Sequence, residues 1–513
     1  MPRGTDKIPL LITPGGVRED VGLADVKDGD LLSSSNWLTR QGVGRPRPGY
    51  EQLGATLAAA DAVIGIGFHG SPFTDANLVV HTLTVAYEWD GTLFNVITGT
   101  WTASTLGQHV RFTIFIQSGN VYLLRINEAN AIDEWTGTGN FVSTTGAPAG
   151  RDMMTVNGRV VVIAAAGDEY AVQWSNFNDR ATWTATDITR LTNTPGELIA
   201  CAPFGPLSGA IYAEDAVYLA TAVAARPAFQ FNFVTRAKGP MSTACLVQHD
   251  GVHYWLANDL VVYRFDGSGR PKPIGTALVT TLRNTLSWAN RNRSHGFILD
   301  LPEPELWFVY PDSLTGTLIR GLSLNLTTGA MNPHQFTGSL TARLAGTAAS
   351  TITWNGLTGT WNTLGFGTWD SMGSTATRAS LLGTSAGLIH NFNLATDDDG
   401  IAIAWEFIHG YKPLGGLGNR FYLDGIASYW RTAASALTVT VGVTVTDTLG
   451  ETDPESTATF DMSTDSDHLA ALTFPNLSGT HARVRHSGTS ALANIEHRGA
   501  ALIGWKKNYV ASL

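Results

Sequence analysis

Short apolar runs alternate with Gly-containing dipeptides along most of this chain. Arg159 to Ala164 (RVVVIA), Val252 to Ala257 (VHYWLA) and Leu260 to Phe265 (LVVYRF) are typical runs. Their β-branched and aromatic residues suit a pleated, half-buried surface better than a helix. The punctuation between runs is Asp90-Gly91, Ser118-Gly119, Asn157-Gly158, Asp250-Gly251, Asp266-Gly267 and Asn355-Gly356. Such pairs provide the positive φ angles of tight hairpins, because Gly lacks a Cβ and Asn or Asp tolerates the left-handed region. Leu246 to Phe265 therefore reads as three consecutive antiparallel strands.

This strand–turn unit recurs loosely, with a period of about 40–50 residues. Its copies run near 62–100, 107–145, 150–190, 196–240, 242–275, 290–336 and 340–395, and Trp101, Trp135, Trp183 and Trp361 each follow a strand–turn stretch. Short-strand repeats of this length predict an all-β protein, a β-propeller of about seven blades, with six or eight also compatible with the spacing. An array of β-sandwiches is the alternative. One segment breaks the pattern. Thr276 to Ala289 places Leu278, Leu282 and Leu286 on one helical face, which predicts a helix inserted between two blades.

The two ends differ from the middle. Residues 1–57 are rich in turn formers, and Arg40, Arg45 and Arg47 are interleaved with Pro46, Pro48 and Gly49. Proline fixes φ and removes a donor, so this stretch predicts an N-terminal extended arm. Beyond Asp397-Asp398-Asp399-Gly400 the strands lengthen: Phe421 to Trp430, Ala436 to Thr446 and Ala482 to His486. Leu437 to Val445 alternates Thr with aliphatic residues, the period of a half-exposed sheet. The predicted organisation is an arm over 1–57, a propeller over 58–400 and a C-terminal β-sandwich-like region over 401–513.

Composition narrows the functional classes. Charged residues are 15% of the 513, against about 25% in an average soluble domain. With 43% hydrophobic residues, wholesale disorder is excluded, and the scarcity of Glu, Lys and Arg argues against a coiled coil or helical bundle. The net charge of −10 argues against a protein that grips nucleic acid through a broad basic face, since phosphate affinity comes from Lys and Arg. Cys201 and Cys245 are the only cysteines, too few for a cysteine zinc site or a disulfide framework, and they suit folding in a reducing cytoplasm. Pro9 interrupts the apolar run Ile8 to Ile12, and no stretch approaches the roughly 18 apolar residues of a membrane span.

The candidate chemistry is sparse. His249 and His253 would share a strand face, but they flank the Asp250-Gly251 turn and no third ligand is close in sequence. Asp397 to Gly400 lacks the spacing of a calcium loop and reads as a solvated turn. Glu303 and Glu305 form a Pro-Glu-Pro-Glu stretch that reads as a solvated hairpin tip rather than a glycosidase pair. Ser175 to Trp183 lacks the glycine of a sialidase-type Asp box. No nucleophile elbow, phosphate loop or zincin helix is present in the sequence. The chain is therefore expected to be non-enzymatic, with no cofactor and no metal.

Three stretches together carry a resemblance. The first is the arm, with Gly15-Gly16-Val17-Arg18-Glu19-Asp20, Asn36-Trp37-Leu38 and Arg45-Pro46-Arg47-Pro48-Gly49-Tyr50. The second is the middle: Val160 to Trp183, Gly209 to Leu219, and Gly239 onward to Val262-Tyr263-Arg264-Phe265-Asp266-Gly267. The third is Trp354 to Trp369 followed by Gly387-Leu388-Ile389-His390. The chain resembles the tail nozzle or hub proteins of short-tailed bacteriophages, also called packaged-DNA stabilisation proteins. That resemblance implies a structural virion protein of the tail, assembled in the host cytoplasm. It implies a ring of copies, usually a hexamer, below the portal and its adaptor, with tail fibres, spikes or a needle attached. The lumen would retain the packaged double-stranded DNA and conduct it during ejection, lined by neutral or acidic side chains. On this reading Arg40, Arg45, Arg47 and Tyr50 of the arm, and Leu282 of the helix, are expected to contact a neighbouring subunit or the adaptor. The competing readings are a carbohydrate- or receptor-binding propeller of a phage tail, and a glycosidase or lyase on a propeller scaffold.

Overall fold

The computed structural model describes residues 6–508 apart from 11–15, 24, 28–29, 41–42, 71–76, 194, 225–226, 300–302, 346–379, 415–418, 433–436, 448–453, 463–466 and 491–494. Seven four-stranded antiparallel sheets follow one another along the chain. They occupy 63–97, 111–143, 152–190, 198–235, 246–275, 295–335 and 340–395 and are numbered blades 1 to 7 in that order. The innermost strand of each blade packs on that of the next, and the innermost strand of blade 7 packs on that of blade 1, so the ring closes. The molecule is thus a seven-bladed β-propeller, with blades within a few residues of the repeats read from the sequence. Asn355-Gly356, Trp361 and the Trp354 to Trp369 stretch lie outside the described residues.

The dipeptides build the hairpins. Ser118 and Gly119, Asn157 and Gly158, and Asp250 and Gly251 all have positive φ, and each pair is a two-residue loop between paired strands. That is the type I′ geometry, whose twist matches the strands it joins. Asp90 works differently: its carboxylate accepts from the backbone N–H of Thr92 and of Leu93, closing an Asx turn.

Among the described residues, blade 7 takes three strands from its own stretch of chain. Its fourth and outermost strand is Gly49–Gln52, from the N-terminal segment, paired antiparallel with Ile389–Ala395. The rest of that segment also enters sheets. Asp6–Leu10, Trp37–Arg40 and Val43–Pro46 join one sheet of the C-terminal region, and Leu31–Ser35 joins the other. The segment is extended, as its prolines predict, but it is woven through the fold.

The C-terminal region is two six-stranded sheets. One is built on Asn419–Thr432, Asp467–Gly479 and Ile495–Asn508, the other on Ile403–His409, Leu437–Thr446, Ser456–Met462 and His481–Ser490. Val439, Val441 and Val443 are fully buried, as the alternation with Thr predicts. One apolar core runs from this sandwich through the arm into blades 5 and 6, taking in Trp37, Leu256, Leu306, Trp405, Phe407 and Trp430.

The segment between blades 5 and 6 is helical but shorter than the Thr276 to Ala289 pattern suggests. Helix α1 spans Val279–Thr285. Leu278, Leu282 and Leu286 are all buried on one side, as their spacing requires. Leu286 itself is extended and bridges Asp312, so the strand pairing ends the helix, and a 3₁₀ turn follows at Trp288–Arg293.

Buried imidazoles are a common feature of both halves. Burial pushes His81 down to about 3 and His109, His253 and His409 to about 4, while His295, His334, His390 and His486 are also lowered, again chiefly by burial. The unfolded chain takes up these protons near the ordinary value of 6.5, and the native chain does so only lower. Stability is therefore complete above about 6.5 and falls as pH drops towards about 4. We expect the urea midpoint to fall over that window more steeply than a one-proton slope of about 1.4 kcal/mol per pH unit. A flat profile would contradict this account of the cores.

Candidate functional site

Among the places that gather polar groups away from solvent are the seam between sandwich and propeller, and the propeller axis. The seam holds the residues singled out in the arm. Arg40 sits on the arm strand Trp37–Arg40 and makes a two-pronged pair with Glu305 of blade 6, at 2.6 and 2.7 Å. Arg47 makes a second fork, to Asp398, at 2.7 and 2.5 Å, and also donates to the Gln335 carbonyl and to Asn36 Oδ1. Its guanidinium lies over the Phe336 ring. Both members of each pair are buried.

Tyr50 is buried as well. Its hydroxyl meets Thr337 Oγ1 at 2.9 Å and accepts from the Gly338 N–H. Leu282 is 1% exposed within the shared core. These four side chains are engaged inside their own chain, so the expected contact with a neighbouring subunit or adaptor has no free group to rest on at Arg40, Arg47, Tyr50 or Leu282. Arg45 differs: it reaches Glu496 at 3.4 Å with its side chain 31% exposed.

The seam also corrects two readings of carboxylates. Glu305 is 1% exposed and Asp398 is 0% exposed, so neither side chain is solvated, although Asp399 and Gly400 do form an exposed turn. Each is desolvated because an arginine from the arm, far away in sequence, neutralises it. Asn36, in the left-handed region at φ 54°, ties the seam together. Its Oδ1 accepts from Arg47 and from the Gln335 N–H, and its Nδ2 donates to the Ala404 carbonyl in the sandwich. Gly49 is needed where the arm turns into blade 7, since a Cβ there would lie 1.8 Å from the Asp397 carbonyl oxygen. His253 is packed inside blade 5, bonded to the Tyr212 hydroxyl at 2.8 Å and stacked on Phe204.

The axis encloses a cavity of about 490 Å³ lined by residues of the seven innermost strands and the chain leading into them. Its apolar wall includes Ile64, Ile66, Phe112 and Met154, and its polar groups include His109, Arg111, Gln248, His295 and Arg343. One end is covered. The chain leading into blade 6 reaches across the ring, where the Asn292 carbonyl accepts from His109 Nε2 at 3.2 Å, just ahead of blade 2. Gln248, exposed, lies at the opposite end of the strands.

Charge in the cavity is unevenly matched. Asp152, fully buried, accepts from Arg111 Nε at 3.0 Å and from the N–H groups of Met153 and Cys201. Burial raises its carboxyl, and Arg111 opposes that rise. Arg343 donates to the Leu246 carbonyl at 2.9 Å but pairs with no carboxylate among the described residues. Burial, then the charge of Arg111, brings its guanidinium down to about 9. Sequence reasoning missed this cluster, because its members come from different blades and have no motif in common.

No protein-family model matches the sequence, and no curated protein does. Solved structures are similar at low identity. Virginiamycin B lyase from Staphylococcus aureus is 11% identical, with 67% of this chain and 99% of that one covered at a TM-score of 0.41. The extracellular domain of a hybrid two-component system from B. thetaiotaomicron is 10% identical, covering 76% of this chain and 45% of that one at 0.39. YCF48 bound to D1 peptide is 13% identical, covering 67% and 99% at 0.37. At this level of likeness they assign no activity to the chain.

The seam makes a direct prediction. Arg47→Met leaves Asp398 buried and alone, and should cost about 3–5 kcal/mol in chemical denaturation, part of which Asp398→Asn in the same chain restores. A loss under about 1 kcal/mol, the level of a surface pair, would mean that the fork is not closing the seam.

Proposed function

We propose that this chain is a structural virion protein, the tail nozzle or hub subunit of a short-tailed bacteriophage, and that it acts without catalysis. The observation that carries the reading is what the arm motif does. The residues on which the resemblance rests, from Asn36-Trp37-Leu38 to Arg47-Pro48-Gly49-Tyr50, close blade 7 and bind the sandwich to blade 6. Motif residues committed to architecture fit a protein selected for shape and rigidity.

The size of the axial cavity refines the reading. About 490 Å³ lies within the range of small-molecule pockets, whereas the major groove of a duplex alone is about 12 Å wide. Genomic DNA would therefore run between copies, in a lumen bounded by outer surfaces of the subunits. The net charge of −10 suits such a wall, because each Lys or Arg contact to phosphate adds a salt-sensitive hold on the genome. The adaptor below the portal, and the fibres, spikes or needle, would dock on the exposed ends of this ring.

Sedimentation of the purified chain, alone and mixed with duplex DNA, tests the reading. It should yield a ring-sized assembly, a hexamer by the resemblance, with weak DNA binding at moderate salt. A chain that stays monomeric at every concentration, or that binds duplex tightly with a steep salt dependence, would count against it.

A further inference from the structure

The covered end of the axial cavity collects groups that the nozzle reading does not use. Arg111 is the first residue of the innermost strand of blade 2, His295 is the first of that of blade 6, and His109 lies two residues before Arg111. Arg343 comes from the innermost strand of blade 7 and donates to the Leu246 carbonyl, at the start of the innermost strand of blade 5. All four side chains line one cavity. They are also electrostatic neighbours, since the charge of Arg111 reaches both Arg343 and His109, and that of Arg343 reaches His295.

Two features of this cluster lack a counterpart within the chain. The first is charge. Arg111 takes the carboxylate of Asp152, which already accepts two backbone N–H groups besides, and Arg343 pairs with no carboxylate among the described residues. The second is hydrogen bonding. His295 is 0% exposed, and neither of its ring nitrogens makes a well-formed hydrogen bond, only a loose approach to the Arg293 backbone. A buried imidazole carries one N–H donor at neutral pH, and leaving it unmade is unfavourable. A cation without a counter-ion is more unfavourable still. An oxyanion answers both, because it accepts from the guanidiniums through charge-assisted bonds and can take the imidazole N–H.

We propose that the covered end of the axial cavity binds a small organic oxyanion, its acid group held by Arg111 and Arg343 beside His295. The apolar wall made by Ile66, Phe112 and Met154 takes the rest of the molecule, and the volume of about 490 Å³ fits one ligand of that class. The acid can be a carboxylate or a phosphate ester, since both offer the same acceptors to a guanidinium. The ligand enters from the Gln248 end, opposite the cover formed by Asn292 and His109. The site lies on the axis of a single propeller and does not depend on how copies assemble.

Thermal unfolding of the full chain tests the site, with benzoate, inorganic phosphate or chloride at matched ionic strength. A saturable rise in the midpoint with benzoate points to a carboxylate, and with phosphate to a phosphate ester; either supports the site. In Arg343→Met the unliganded midpoint should hold or rise, because a half-buried cation with no carboxylate partner is gone, while affinity for the probe falls at least about tenfold. No saturable response to either probe, or an equal response in Arg343→Met, overturns the proposal. Should that variant not fold, crystals of the wild type soaked in selenate give an independent reading. An anomalous peak beside Arg111 and Arg343 supports the site, and an empty map there overturns it.

Discussion

The fold depends on one closure. A propeller needs its last blade fastened, and in this chain the fastening strand, Gly49–Gln52, arrives from the N-terminal segment. The strand is short, and what holds it is the fork between Arg47 and Asp398, placed just before it and just after the last strand of blade 7. Isolated buried ion pairs are weak sources of stability, because desolvation offsets the attraction. Their strength is geometric: once the surroundings are closed, neither partner can leave without stranding the other. The Thr337 N–H and hydroxyl fill remaining acceptor sites on Asp398, and Asn36 takes the Arg47 Nε. The fork thus fixes the register of the arm against both halves of the molecule.

From that closure the rest of the architecture follows. With Gly49–Gln52 in blade 7, the preceding strands of the arm lie on the sandwich, and Arg40 reaches Glu305 in blade 6. The apolar core then runs without a break from Trp430 and Trp405 through Trp37 to Leu306 and Leu282. A domain border that is a shared core rather than a linker resists hinge motion. That rigidity suits a part which bears load in an assembly.

The repeats were legible in the sequence because their signals are local. Asn157-Gly158 and Asp250-Gly251 dictate a hairpin through backbone sterics alone, and runs such as Arg159 to Ala164 can only be strands between them. The leucine face of α1 was legible for the same reason, although Leu286 was lost to a strand bridge whose partner, Asp312, is far along the chain. The seam was not legible. Arg40 and Glu305 are 265 residues apart and Arg47 and Asp398 are 351 apart, so the carboxylates looked solvated and the arginines looked free to meet a neighbouring subunit. The axial cluster stayed hidden on similar grounds: Arg111, Arg343 and His295 belong to different repeats, and only closure of the ring brings them together.

The central claim is that the chain is a ring subunit whose conduit lies between copies, each propeller axis being closed to a duplex. Imaging of the tail particle by electron cryomicroscopy, with DNA retained, tests it most directly. The account predicts a closed ring of copies around a central column of duplex density, with none along the individual propeller axes. Duplex density passing through a propeller, or particles in which this chain forms no ring, would contradict it.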